Sequence, residues 1–210
     1  MNKTDQAYQA LEKMITFQEL PPGSLLSERA LMERTGYGRT PVREALQRLA
    51  RERMVDIHPN RGVFVADASI ESQLRLLEVR RSLEELAVRL AAQRAQPPQR
   101  AAMLELAGQL QEFTGADAHE FGPLLKESHA LVAAAAGNDF LSVAMAPLQG
   151  LSRRFWFANL RDPAREIRAG ADRHQDVLRA VRAGDAEAAA RASLALNDYL
   201  VDFTHRTLHT

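Results

Sequence analysis

Apolar residues recur at helical spacing in the N-terminal part of the chain and predict three short helices. The first covers about residues 5–18 and ends before Leu20-Pro21-Pro22-Gly23, where two prolines and a glycine force a turn. The second opens at Ser27, a favoured N-cap residue, and Gly36-Tyr37-Gly38 ends it. The third covers Arg39–Arg53. Two short helices joined by a tight glycine turn are typical of a helix-turn-helix.

The third predicted helix begins on basic and hydroxyl side chains and continues on apolar ones. Arg39 and Thr40 lie at its start, where free backbone N–H groups and the positive end of the helix dipole favour a phosphate. Arg43 follows Arg39 by one helical turn and projects from the same side. The inward-packing side carries a helical repeat of Val42, Leu46 and Leu49. Five arginines against two glutamates concentrate positive charge here. The pattern predicts a helix that contacts DNA at its start.

After Met54 the apolar period changes from helical to strand-like. Val55-Asp56-Ile57 and Val63-Phe64-Val65 have the pattern of two short strands separated by residues 58–62, which predicts a β-hairpin. A helix-turn-helix followed directly by a hairpin is a winged helix-turn-helix. Arg61, at the hairpin tip, either contacts phosphate or the minor groove or is a solvated turn residue. In this context we favour DNA contact.

From Ile70 onward the pattern is helical throughout, and glycine and proline breaks divide it into six helices. The predicted spans are 70–95, 98–113, 117–136, 138–160, 163–183 and 185–207. The pair Gly122-Pro123 can delay the third of these to Pro123. The sequence therefore predicts a mainly α fold, with a winged helix-turn-helix domain over residues 1–66, a linker over 67–69, and an all-α six-helix bundle over 70–210.

Composition narrows the picture only a little. The formal net charge is zero, so the overall balance indicates neither nucleic acid nor membrane as a partner. The absence of cysteine excludes disulfides and thiolate metal sites and allows a reducing compartment. No segment approaches the roughly 18 apolar residues of a membrane span, and the first twenty residues lack the apolar core of a signal peptide. We expect a soluble, cytoplasmic protein with no membrane contact.

Several runs of residues resemble known bacterial regulators. Ser27-Glu28-Arg29, residues 39–46 and residues 59–65 resemble the N-terminal domain of GntR-type transcription regulators. Residues 78–84, and His129 with Gly137-Asn138, are similar to the all-helical effector domain, called FCD, of the FadR subfamily. The six-helix count is similar to its shorter, VanR-like branch. The resemblance covers nearly the whole chain.

The resemblance implies a homodimeric transcription regulator whose winged domains bind a palindromic operator. It implies that a small molecule, expected to be an organic acid or a similar anionic metabolite, enters the helical domain and alters DNA binding; a repressor is the favoured reading over an activator. In related proteins, the residues that match Arg29, Arg39, Thr40, Arg43 and Gly62 contact DNA. With Arg61 added, these are the predicted DNA-binding residues.

Many members of the subfamily hold a divalent metal with one Asp and three His. His129 and His174 match two of these histidines, whereas Leu125 and Leu196 stand where the Asp and the third His would be. Two imidazoles and water hold a typical divalent ion weakly, so we predict no metal and no other cofactor. The polar residues near in sequence that could substitute are His119, Glu127, Asp176 and Asn197, of which Glu127 and Asn197 lie off the required helix face.

The predicted effector-binding residues are Arg80, His129, His174 and Asn197. Arg80 matches an arginine that often meets the effector's carboxylate in this family, and it would supply a bidentate fork. Its alternative role is a surface salt bridge with Glu84, four residues on. His129 and His174 either face a ligand with an apolar body and a polar or anionic head, or are partly buried histidines satisfied by hydrogen bonds.

Other functions stay open at this stage. In an effector-independent DNA-binding protein, Leu125 and Leu196 would simply fill the cavity. A metal-dependent sensor would need a rearranged ligand set. An enzyme would need a converging nucleophile, base and orienting group, or a complete metal site, and the sequence offers none. The aromatic run over residues 153–157 is expected to be core or dimer interface rather than a cofactor site.

Overall fold

The computed structural model describes residues 2–209 and divides the chain into two compact units. The first unit comprises Met1–Ser69 and Arg153–Ala158, and the second comprises Ile70–Ser152 and Asn159–Thr210. Both units are mainly helical, and a small antiparallel sheet lies in the first. The predicted fold class is confirmed.

The first unit contains the three predicted helices and a sheet with one more strand than predicted. Its helices are α1 (Lys3–Thr16), α2 (Glu28–Thr35) and α3 (Arg39–Arg51). Its strands are β1 (Leu25–Leu26), β2 (Val55–His58) and β3 (Gly62–Val65), in the order β1-β3-β2 with both pairings antiparallel. The sequence analysis predicted the β2–β3 hairpin and missed β1. A strand of two residues is too short to show an alternating pattern.

Side-chain caps explain where these helices begin and end. The Asn2 side chain accepts a hydrogen bond from the backbone N–H of Asp5 at 2.8 Å, so α1 begins earlier than predicted. Ser27 is the N-cap of α2, as predicted, and its hydroxyl lies 3.5 Å from the Ala30 nitrogen. Gly36 ends α2 in the left-handed conformation, with φ 73°. The apolar residues of α3 predicted to face inward, Val42, Leu46 and Leu49, are all buried, and so are the helically spaced apolar residues of α1, Ala7, Leu11, Met14 and Ile15.

The aromatic run over residues 153–157 belongs to the core of the first unit. Phe155 and Trp156 are buried, and the ring centroid of Phe157 lies 4.9 Å from that of Phe17. Arg153 pairs with Glu12 at 2.5 Å, and both side chains are buried. Arg154 is also buried and donates to the carbonyl oxygen of Ala66, and burial lowers the pKa of its guanidinium. The run therefore lies in the core, which is one of the two positions predicted for it.

The remaining helices match the six predicted ones to within about two residues at each end, a difference that assignment alone can produce. They are α4 (Ile70–Arg94), α5 (Pro97–Glu112), α6 (Ala118–Ala136), α7 (Asp139–Ala158), α8 (Pro163–Ala183) and α9 (Ala186–Arg206), and a 3-10 turn follows over Thr207–His209. The delay of α6 to Pro123 was wrong. The Asp117 side chain caps the helix by accepting from the His119 nitrogen at 2.7 Å, and α6 runs on through Pro123.

In the second unit α4 packs against α6, α8 and α9, and α5 packs against α6 and α8. Long side chains tie these helices together through backbone carbonyls. Arg94 donates to the Ala136 oxygen at the end of α6 at 2.8 Å, and Gln175 donates to the Ala107 oxygen of α5 at 2.9 Å. Over residues 2–209, no helix combines the length and the apolar character needed to cross a membrane.

Candidate DNA-contacting surface and candidate ligand pocket

The start of α3 presents an exposed basic surface. Arg39, Thr40 and Arg43 are all exposed, while Val42 and Leu46 of the same helix are buried. Gly38 is the N-cap and offers no side chain to the first N–H groups, and no acidic residue lies in the first turn. Because these N–H groups and the helix dipole favour an anion, this end of α3 can receive a phosphate.

Two of the predicted arginines are paired with carboxylates at the surface. Arg43 Nε donates to Glu28 Oε1 at 2.7 Å, and Arg29 Nε donates to Glu33 Oε1 at 3.0 Å. Exposed pairs of this kind contribute about 0–1 kcal/mol, so Arg29 can exchange its carboxylate partner for a contact with DNA. Arg43 is held by Nε alone, and its Nη1 and Nη2 groups can contact DNA while this pair persists. Within residues 2–209, the structure gives no ion pair to Arg39 or Arg61.

The hairpin places Arg61 at an exposed turn between paired strands. His58 pairs with Gly62, and the Arg61 nitrogen donates to the His58 oxygen at 3.1 Å across the turn. Gly62 has φ 103°, a conformation that side-chain-bearing residues rarely adopt. A Cβ added at Gly62 would lie 2.8 Å from Cδ1 of Leu25. The turn itself therefore requires a glycine, whether or not Gly62 also contacts DNA.

A pocket lies in the second unit among α4, α6, α7, α8 and α9. The volume of the cavity is about 20 Å³. A volume of this size holds one or two water molecules. One part of the lining is aliphatic, with Val88, Val132, Met145, Val177, Leu178 and Leu196. The other part is polar, with Glu84, Ser128, His129, Gln149, His174 and Ser193.

The two predicted histidines meet in this pocket. The ring centroids of His129 and His174 lie 5.1 Å apart, with the rings nearly edge to face. Nη2 of Arg80 lies 3.3 Å from Nε2 of His129. A guanidinium can only donate, so in this contact Nε2 accepts and a neutral His129 carries its proton on Nδ1.

Arg80 is buried beside Glu84 rather than at the surface. Its Nε lies 2.9 Å from Oε1 of Glu84, and the two side chains are 3% and 7% exposed. The Nε hydrogen does not point at that oxygen, so the contact is an ion pair without a well-directed hydrogen bond. Of the two alternatives for Arg80, the pairing with Glu84 is the one that the structure contains, but in a buried form. Glu84 lines the pocket, whereas Arg80 does not.

Glu84 is the centre of a buried hydrogen-bond network that the sequence did not reveal. Gln149 donates to its Oε1 at 3.2 Å, and Nδ2 of Asn197 donates to its Oε2 at 3.0 Å. Asn197 is 1% exposed and is not part of the pocket lining, so it reaches the pocket through Glu84. The position of Glu84 one turn after Arg80 was the only signal for its role. Nothing in the sequence singled out Gln149.

The residues present do not fit a divalent metal. Leu125 and Leu196 are both buried, and Leu196 lines the pocket beside the histidines. The other polar residues considered, His119, Glu127 and Asp176, are exposed. Among the residues that the structure describes, no three His, Cys, Asp or Glu side chains come together as a metal site. The expected absence of a bound metal stays a prediction.

The first unit is a winged helix-turn-helix with an exposed basic helix, and the second unit is all-helical and contains a pocket. This combination is typical of DNA-binding transcription regulators. Comparison with protein families agrees. Residues 3–65 match the bacterial regulatory proteins of the gntR family, and residues 75–198 match the FCD domain. The chain belongs to the GntR family and carries an FCD domain. The families that it matches are those of transcription regulators rather than of enzymes.

Individual relatives are similar over different shares of the chain. The HTH-type transcriptional repressor GlaR of Escherichia coli K12 is 29% identical over 92% of this chain and 90% of its own length. The Nta operon transcriptional regulator of Aminobacter aminovorans is 31% identical over 67% of this chain. The match covers 66% of the Nta regulator's own length, and a Streptomyces ambofaciens regulator matches over 25% of its length.

Solved structures share the fold over almost the whole chain. McbR/YncC of Escherichia coli superimposes with a TM-score of 0.84 at 22% identity and covers 99% of both chains. A putative GntR regulator from Rhodococcus sp. RHA1 gives a TM-score of 0.69 at 24% identity and covers 100% of this chain. At such identities the likeness concerns the fold alone.

Proposed function

We propose that this protein is a ligand-responsive, sequence-specific regulator, favoured as a repressor, in which residues 1–66 bind DNA and residues 70–210 bind an effector. The pocket that holds His129 and His174 is the observation that carries the ligand-responsive part of this proposal. Its lining combines polar and aliphatic side chains, which suits a small ligand with an apolar body and one polar or anionic head.

The DNA-binding part of the proposal uses Arg29, Arg39, Thr40, Arg43, Arg61 and Gly62. Support comes from the exposure of the α3 side chains and from the exposed pairing of Arg29 with Glu33, which is readily exchanged for a phosphate. A homodimer on a palindromic operator is part of the same proposal, because it would place two recognition helices about one DNA turn apart, roughly 34–36 Å. An effector that prefers one arrangement of the DNA-binding domains would change that separation.

The pairing of Arg80 with Glu84 limits how a carboxylate of the ligand could bind. The Arg80 charge is already balanced by Glu84, so an incoming carboxylate would gain little from Arg80 unless Glu84 moved away or became protonated. We therefore assign the direct contacts to His129 and His174, with Arg80 and Asn197 acting on them through Nε2 of His129 and through Glu84. The small free volume means that any ligand larger than a few atoms must displace side chains of the pocket lining.

A library of small organic acids and their neutral amides would test this part of the proposal by thermal unfolding. A ligand present at 100 times its Kd stabilises the folded state by about 2.7 kcal/mol. The shift is expected for the parent and is expected to disappear in the double variant His129→Leu and His174→Leu. The exposed His119→Leu variant is the matched control, and it should keep the full shift.

A second function, DNA binding without any effector, is favoured by the small free volume and by the leucines at positions 125 and 196. In that case no member of the library shifts the unfolding temperature of parent or control. Retention of one zinc, nickel or manganese ion per chain after dialysis, lost in the double histidine variant, would contradict both readings and establish a rearranged metal site.

A further inference from the structure

We propose that Glu28 is a specificity-determining positioning residue: by holding Nε of Arg43, it aims the two terminal amino groups of that arginine at a guanine edge. The proposal rests on the assignment of Arg43 to DNA contact under the proposed function. It adds a second residue of α2, next to Arg29, to a surface whose other residues lie in α3 and the hairpin.

The contact with Glu28 leaves the two terminal amino groups of Arg43 available to contact a base. Glu28 Oε1 accepts from Nε at 2.7 Å. In the described part of the chain, no hydrogen bond or ion pair is given to Nη1 or Nη2 of Arg43. These two groups form the fork that matches O6 and N7 of guanine, and the planar guanidinium fixes their direction once Nε is held.

The contact joins two helices, α2 and α3. By contrast, the pair of the other α2 arginine, Arg29–Glu33, links residues four apart on one helix, whereas Glu28 and Arg43 are fifteen residues apart. Glu28 is the first residue of α2, directly after the Ser27 cap, so its backbone position is set by the helix start. Its side chain is 34% exposed against 60% for Arg43, so the carboxylate is the more firmly enclosed partner.

Removal of a carboxylate that positions Arg43 should change DNA binding in a way that removal of a merely stabilising carboxylate would not. Because a negative charge near DNA repels phosphates, its removal should strengthen binding to arbitrary duplexes. Removal also frees the Arg43 side chain to adopt other rotamers, so discrimination at one base pair should fall. The two effects have opposite signs. A loss of folding would lower both affinities together.

The test uses the full-length protein and a pool of random DNA duplexes. Selection with the parent yields its preferred duplex, and competition against single-base substitutions gives the discrimination at each position. The variants are Glu28→Ala, Glu28→Gln, Glu28→Asp and Arg43→Ala. Glu19→Ala is the control, since it removes one negative charge and one exposed ion pair, with Arg34 at 3.1 Å, from the same unit.

We expect Glu28→Ala to lose roughly ten-fold discrimination at one base pair per half-site, with discrimination elsewhere unchanged and affinity for random duplexes raised. Glu28→Gln keeps an acceptor oxygen and should retain most of the discrimination. Glu28→Asp keeps the charge and the helix start but is too short to reach Nε, so it should lose the same discrimination as Glu28→Ala without the rise in affinity for random duplexes. In an Arg43→Ala background, Glu28→Ala should cause no further loss at that base pair.

Unchanged discrimination in both Glu28→Ala and Glu28→Asp would overturn the proposal, as would an equal loss in Glu19→Ala. If Arg43→Ala itself leaves every base position unchanged, then the assignment of Arg43 to DNA contact has failed. If Arg43→Ala loses discrimination and the Glu28 variants do not, only the role of Glu28 has failed.

Discussion

The two units hold arginine–glutamate pairs of identical spacing in opposite environments. Arg29–Glu33 in the first unit and Arg80–Glu84 in the second are both four residues apart, but their side chains are 88% and 65% exposed in one pair and 3% and 7% in the other. A solvated pair is readily exchanged for a phosphate, whereas a buried pair is fixed because neither charge can be left alone. The same local motif is therefore an exchangeable surface pair in one unit and a structural centre in the other.

The largest expected difference between the two pairs appears on removal of the carboxylate. Glu84→Ala leaves the Arg80 charge buried without its partner and removes the acceptor for Gln149 and Asn197, so we expect a loss of about 3–5 kcal/mol in the free energy of unfolding. Glu33→Ala, the matched control, should cost less than about 0.5 kcal/mol. Urea denaturation measures both. Similar losses for the two variants would show that burial does not separate the pairs.

A smaller effect is expected at Tyr8, whose hydroxyl donates to Glu52 at 2.5 Å in the first unit. Burial, and then the hydrogen bond and charge of Glu52, raise the pKa of Tyr8. The stability that this hydroxyl contributes is fully present below the ordinary tyrosine pKa of about 10 and is lost as the pH rises through the raised pKa. Tyr8→Phe should cost about 1–2 kcal/mol near neutral pH.

Denaturation of parent and Tyr8→Phe between neutral and strongly alkaline pH supplies the check. The difference between their free energies of unfolding should shrink above about pH 10, because only the parent loses this contribution. Parallel stability curves throughout that range would mean that the Tyr8 pKa is the same in the folded and unfolded chains.

Gly62→Ala tests the structural role of this glycine in the hairpin. The positive φ at this position penalises any side chain, so we expect a loss of about 1–2 kcal/mol in the free energy of unfolding. The added methyl group would also press on Leu25, which can shift its flexible end. Gly137→Ala at the end of α6, with φ 58° and open space around it, is the control for backbone strain alone. Thermal unfolding that is unchanged by Gly62→Ala would contradict the strained turn.

The smallest expected effect lies at the surface of the second unit. Hydrogen bonds from Arg89, followed by its charge, lower the pKa of the Glu187 carboxyl, which is fully exposed. A lowered pKa contributes stability above the ordinary glutamate value and loses it as the pH falls through the lowered one. Glu187→Gln should therefore be slightly less stable than the parent at neutral pH and equal to it in strong acid. Acid titration of both proteins at low salt would detect this, and a difference that grows in acid would have the wrong sign.

The fold could be predicted from the sequence where one residue type favours one local structure. Glycines at positions 36, 137 and 184 end helices in the left-handed conformation, and Ser27 begins one, so the helix limits followed from chemistry close in sequence. The surface residues of α3 could also be predicted from the sequence, because the apolar repeat determines which side of the helix is buried. Arg39 and Arg43 lie on the other side.

The sequence was insufficient where a property depends on contacts between distant residues. Strand β1 is defined by its pairing with β3, not by its own two leucines. The burial of Arg80 depends on the helices packed around α4, and the role of Glu84 depends on Gln149 and Asn197, 65 and 113 residues away. None of these partners is related to the others by helical or strand periodicity.

The most direct test of the proposed DNA recognition compares one duplex with another. The parent should bind its selected duplex at least about 1,000 times more tightly than a scrambled duplex at physiological salt. Arg43→Ala should lose most of that ratio, with the sedimentation coefficient of the free protein unchanged. Equal affinity of Arg43→Ala and parent for the selected duplex would contradict the account.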